Sequence, residues 1–170
     1  DSFELSEYLQ DIPSIVNRAI DEDKTVLVEG TQGTFLSLYH GTYPFVTSKD
    51  VTASAICSDV GIGPKKVSEV LIVFKAYVTR VGSGPLEGEL ELEETTSKGW
   101  TEYGSVTGRL RRAAPFNYDL AKRSIMLNSA TQIALTKLDI VFPSDAGKRQ
   151  FDNLSSDAKG FVNNIEKEVG

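Results

Sequence analysis

Three short apolar runs set the frame for this chain: Thr25-Val26-Leu27-Val28-Glu29, Glu69-Val70-Leu71-Ile72-Val73-Phe74 and Ile133-Ala134-Leu135-Thr136. Strands buried on both faces read as continuous apolar stretches, so each run is expected to be a buried strand, the second extending toward Tyr77 and Thr79. Segments of helical rhythm lie between them. The alternation predicts an α/β fold, a mainly parallel sheet with flanking helices, in a single domain over residues 1–170. In such sheets ligands bind outside the carboxyl ends of the strands. The unusual segments fall there: the 19-residue loop 30–48, the glycine-rich stretch Thr79–Pro85 and the short Lys137–Asp139. That coincidence predicts a binding crevice.

Leu5, Tyr8, Leu9 and Ile12 repeat on one helical face until Pro13 interrupts them. Asp11 is a candidate cap for a second helix running to Ile20. Further helices are expected over Val51–Ser58 and Asp119–Asn128, and from a Ser155 cap to Val169. Glu89, Glu91 and Glu93 alternate with Leu90 and Leu92, which predicts an exposed strand or hairpin arm within Leu86–Glu94. Trp100–Arg112, rich in Gly, Ser, Thr and Arg, reads as a loop.

Composition excludes several classes. One cysteine, Cys57, cannot form a disulfide within the chain, and one histidine, His40, cannot complete a His/Cys zinc site. No stretch approaches the ~20 apolar residues of a bilayer span, so no membrane association is expected. The net charge of -6 argues against general nucleic-acid binding. The lone cysteine and the lack of a secretory leader fit a reducing, cytoplasmic setting. The chain opens on Asp1 rather than Met, as a piece of a longer protein would.

Two loops carry chemistry. An aspartate just past a strand, as in Thr136-Lys137-Leu138-Asp139, can accept hydrogen bonds from N1–H and the exocyclic amine of guanine. Adenine offers an acceptor at N1 and nothing at C2, so such a carboxylate discriminates between the bases. Lys137 can lay its stem along a purine. The bland alternative is a solvated Lys-Asp pair. Gly104-Ser105-Val106-Thr107-Gly108-Arg109-Leu110-Arg111-Arg112 places three arginines in four positions after a glycine turn. Between Lys98 and Arg123 six basic residues face two acidic ones, a local +4. Guanidinium forks suit carboxylates and phosphates, so this loop suits an anionic substrate; a solvated basic loop or an RNA patch is the alternative. The chain contains no G-x-x-x-x-G-K-[ST] phosphate loop.

Taken together, five segments resemble the adenylosuccinate synthetase family, in the family's order and spacing: Val28–Thr34, His40–Ser48, Lys75–Pro85, Thr107–Arg112 and Leu135–Asp139. The resemblance implies a part of a P-loop-NTPase-like synthetase fold. The implied reaction is IMP + L-aspartate + GTP to adenylosuccinate + GDP + phosphate, with Mg2+. It implies that Gln32, Thr47 and Arg109 bind IMP, and that Ser105, Val106, Thr107, Gly108 and Arg109 receive aspartate. Arg111, Lys137, Leu138 and Asp139 would bind GTP. Val106 and Leu110 stand where the family commonly has threonine and arginine, and Arg112 is assigned no ligand. By the same resemblance the catalytic residues, the phosphate loop and the magnesium ligands belong to an amino-terminal half outside this sequence. The chain is therefore expected to be a carboxyl-terminal half, inactive by itself, from an enzyme that is a homodimer when complete. The competing readings are a stand-alone nucleotide-binding module without ligase activity and an RNA-binding module on Arg109–Arg112. The second is disfavoured by the net charge and by the lack of aromatics among the arginines.

Overall fold

The computed structural model describes residues 5–170, in two compact units that meet in sequence between Val70 and Leu71.

The described part of the first unit is built of helices and loops. Helix α1 (Ile12–Asp21) starts where expected: the Asp11 carboxylate accepts from the backbone N and hydroxyl of Ser14, and Pro13 sits in the first turn, where a missing N–H costs nothing. Helix α2 (Ala53–Val60) ends at Gly61, whose φ of 71° is left-handed. A Cβ there would come within 2.6 Å of Pro13, so glycine is needed for both conformation and space. Asn17 Nδ2 donates to the Gly61 carbonyl at 2.9 Å and ties α1 to the end of α2.

Two expectations for this unit fail. The rhythm over Leu5–Ile12 yields only a 3-10 turn at Ser6–Tyr8, with Leu5, Tyr8 and Leu9 exposed. Without a packed apolar face nothing offsets the cost of nucleating a helix. The run Thr25–Glu29 joins no sheet, and Leu27 is 91% exposed. A strand exists only through hydrogen bonds to a neighbour, and this run has no neighbouring strand among the described residues.

The second unit is α/β, as expected. Strands β1 (Leu71–Lys75) and β5 (Gln132–Thr136) pair in parallel, Leu71 opposite Gln132 and Lys75 opposite Thr136. Helices α4 (Tyr118–Asn128) and α6 (Ser156–Val169) flank this pair. Their Ala121, Ile165 and Val169 form a buried cluster against which Phe74, Ile133 and Leu135 pack. Ser155 caps α6 by accepting from Ala158 N, and Asn117 caps α4 by accepting from Leu120 N.

A three-stranded antiparallel sheet is added, in the order β2 (Tyr77–Val81), β4 (Leu110–Pro115), β3 (Glu102–Tyr103). Trp100–Arg112 is thus a hairpin rather than a loop. Trp100 is buried and stacks on Tyr77, ring centroids 4.6 Å apart, with Ala113 completing the cluster. The acidic alternation in Leu86–Glu94 is not a strand. Leu90 N donates to the Ala113 carbonyl and Arg112 grips Glu89, which together hold it to β4, and the chain then enters a short helix, α3 (Leu92–Ser97). Glu93 and Glu94 occupy the first turn of α3, where carboxylates complement the helix dipole.

Candidate functional site

The β5 strand ends at Thr136, whose hydroxyl donates to the Phe74 carbonyl at 3.0 Å. Lys137 then adopts φ 63°, ψ 21°, a left-handed conformation rare for a side-chain-bearing residue, and turns the chain into the single helical turn α5 (Leu138–Val141). Asp139 falls in its first turn. Lys137, Leu138 and Asp139 all line one cavity of about 300 Å³, shared with Leu135, Asp145, Gly147, Lys148 and Leu154. The sequence reading missed Asp145, Gly147, Lys148 and Leu154. They come from an irregular segment, and their signal is the Ser155 cap that anchors it.

Asp145 organises that segment. It is 4% exposed. Its Oδ1 accepts from Lys148 Nζ at 2.6 Å and from Ser155 N at 2.8 Å, and its Oδ2 accepts from Ser155 Oγ at 2.6 Å. The bond from Lys148, then those from Ser155, hold its carboxyl down to about 2 against the opposing effect of burial.

The arginine segment forms the β3–β4 hairpin. Gly104 N donates to the Arg109 carbonyl and Gly108 N to the Gly104 carbonyl, both at 2.8 Å. Gly108 is left-handed at φ 62°. Ser105, Val106 and Thr107 therefore sit at an exposed tip, Val106 at 94% exposure. Arg109 Nε donates to Thr107 Oγ1 at 3.4 Å. Arg111 instead donates to Glu102 Oε2 at 3.3 Å, while its Nε is buried without a hydrogen-bond partner. Glu102 also accepts from Lys75 Nζ at 3.1 and 3.2 Å and from the Tyr77 hydroxyl at 2.6 Å. Burial opposes the charge on Glu102, but Tyr77 and Lys75 outweigh it and its carboxyl stays below the usual range. Burial pushes the Lys75 ammonium down, with Glu102 opposing. Arg112 is committed to the fold instead. Its Nη1 donates to the carbonyls of Gly82 and Gly84, both at 2.9 Å, and its remaining nitrogens grip Glu89.

Gln32 and Thr47 belong to the first unit. Gln32 is exposed just before Gly33, which is left-handed at φ 110°. Thr47 Oγ1 shares its proton between the carbonyls of Leu36 (2.9 Å) and Lys49 (3.0 Å). The loop holding both is anchored by buried Ser37, which donates to Asp50 Oδ1 at 2.6 Å and accepts from Tyr39 N and His40 N. A smaller cavity of about 150 Å³ in this unit is lined by residues including Glu29, Thr31, Lys49 and Asp59, and touches neither Gln32 nor Thr47. Among the described residues no three His, Cys, Asp or Glu side chains cluster as a metal site.

A strand-end carboxylate turn beside a cavity and an exposed glycine-arginine hairpin stand in the same unit. The adenylosuccinate synthetase family model matches residues 2–146. Adenylosuccinate synthetase of Methanosphaera stadtmanae is 53% identical over 167 residues, covering 98% of this chain and 49% of the relative. That of Methanocaldococcus jannaschii is 54% identical over 167 residues, covering 98% and 48%. Among solved structures, fully ligated adenylosuccinate synthetase from Plasmodium falciparum superposes with a TM-score of 0.91 at 28% identity, over 98% of this chain and 51% of that one. A cyanophage S-2L succinoaminodeoxyadenylate synthetase, TM-score 0.68 at 24% identity over 89% of this chain and 44% of that one, shares the fold. The chain belongs to the adenylosuccinate synthetase family. It spans about half the length of the curated relatives it matches.

Proposed function

We propose that this chain supplies substrate-binding loops for adenylosuccinate synthesis in purine nucleotide biosynthesis, a cytoplasmic, GTP-dependent carbon–nitrogen ligation. IMP, L-aspartate and GTP are the substrates, and adenylosuccinate, GDP and phosphate the products. The observation that carries the reading is the Lys137–Asp139 turn: a left-handed strand exit that puts a carboxylate beside a cavity of about 300 Å³. Asp139 accepts from guanine N1–H and the exocyclic amine, Lys137 covers the ring and Leu138 lines the base cavity. Arg111 serves the GTP side; its buried Nε, still lacking an acceptor, supports that role. The hairpin tip Ser105–Gly108 with the Arg109 fork receives the aspartate carboxylates, and Arg109 also reaches IMP. Gln32 and Thr47 contact IMP. Mg2+ would be held by residues of an amino-terminal half outside this sequence, and the complete enzyme works as a homodimer whose carboxyl-terminal half is this chain.

The test is an assay of the purified 170-residue chain. With IMP, GTP, aspartate and magnesium it should give no adenylosuccinate, yet it should bind guanine nucleotides in preference to adenine nucleotides by calorimetry. Turnover by the chain alone, or equal binding of both purines, would contradict the reading.

A further inference from the structure

The cavity beside Asp139 has a second wall. Gly147, Lys148 and Leu154 line it together with Lys137 and Asp139. The wall is held by bonds within its own segment. Residues 143–145 form a 3-10 turn, Gly147 reverses the chain at φ 80°, and Lys148 N donates to the Asp145 carbonyl at 3.1 Å. Buried Asp145 then fastens both ends, holding Lys148 Nζ on one side and the Ser155 backbone and hydroxyl on the other. Ser155 in turn caps α6, so the segment is pinned to a regular element.

We propose that Lys148 and Leu154 bind the purine of a guanine nucleotide as an apolar wall, with Asp145 a positioning residue that keeps them in place. The proposal rests on the guanine reading above. A purine has a polar edge and two apolar faces, so a site that reads the edge through a carboxylate gains from stems packed on a face. The Lys148 ammonium is already neutralised by Asp145, and this assigns its aliphatic stem, rather than its charge, to the ligand.

The experiment is a backbone amide NMR titration of the full 170-residue chain with GDP and with ADP. GDP should shift amides at 137–139 and also at 147–154, and ADP should shift neither. Lys148→Ala and Leu154→Ala should each weaken GDP binding about tenfold, a loss of apolar contact. Lys148→Met, which keeps a stem and removes the charge, should lose less affinity than Lys148→Ala. GDP shifts confined to 137–139, or unchanged affinity in Lys148→Ala with a dispersed spectrum, would overturn the wall and leave the guanine reading standing. Loss of affinity in Lys148→Met equal to that in Lys148→Ala would overturn the stem assignment. Equal responses to GDP and ADP would overturn the guanine reading itself, and the wall with it.

Discussion

Glu102 and Arg111 face each other across the β3–β4 ladder, and their side chains meet at 3.3 Å. The carboxylate also holds Lys75 and Tyr77, so one acidic group sets the posture of the arginine hairpin and of the end of β1. Glu102→Gln keeps the shape and removes the charge, leaving two half-buried cations uncompensated. Urea unfolding should show a loss of about 1–2 kcal/mol. A variant as stable as the parent would mean that solvent screens this cluster.

Arg109 and Arg112 are predicted to part company. Arg112 clamps the Gly82 and Gly84 carbonyls and Glu89, so Arg112→Leu should destabilise the fold by about 1–2 kcal/mol. Among the described residues Arg109 makes one long side-chain hydrogen bond, to Thr107. Arg109→Leu should leave stability within about 0.5 kcal/mol and cost about 3 kcal/mol in kcat/KM when placed in a complete enzyme. Thermal denaturation of the two variants, with kinetics at varied aspartate, separates them. Equal kinetic losses would reduce the arginines to a general field.

Asp145 makes an acid-stability prediction. Its carboxyl titrates at about 2 in the folded chain, against an ordinary value of 3.8. A depressed carboxylate contributes stability above its unfolded pKa and loses it as pH falls through the folded one, so the effect lies between about pH 4 and pH 2. Asp145→Asn should lower Tm at pH 7, and the gap from the parent should narrow across that window and stay constant from pH 5 to 7. A gap that is already closing at pH 6 would point to a different group.

The parts of the fold that could be read in the sequence are those where one side chain or one run decides the structure. Ile133–Thr136 and Leu71–Phe74 pair as strands, and Phe74, Ile133 and Leu135 pack on the α4–α6 cluster while Leu71 and Val73 stay exposed on the other face. Asp11 and Ser155 cap helices by local bonds that need no tertiary partner. Where a distant partner decides, the sequence is misleading. Thr25–Glu29 has a strand's composition and no strand beside it among the described residues. Glu89 alternates with leucines, yet its carboxylate is drawn to Arg112, 23 residues away. The two-residue β3 is too short to show a period, and its hairpin is held by the Glu102–Arg111 ladder. The site divides in the same way. Lys137 and Asp139 are legible because a strand end projects them together. Asp145, Lys148 and Leu154 are not, because a buried carboxylate binding Ser155 ten residues on leaves no periodic trace.

Asp139→Asn tests the central claim most directly. The amide presents a donor where guanine also presents donors, while xanthine offers an acceptor at C2. Calorimetric titration of parent and variant with GDP and xanthosine diphosphate gives the preference of each. The variant should lose about 2–4 kcal/mol of GDP affinity, and xanthosine diphosphate should become the better ligand. An unchanged preference for GDP in the variant would contradict it, for Asp139 would then not read the base.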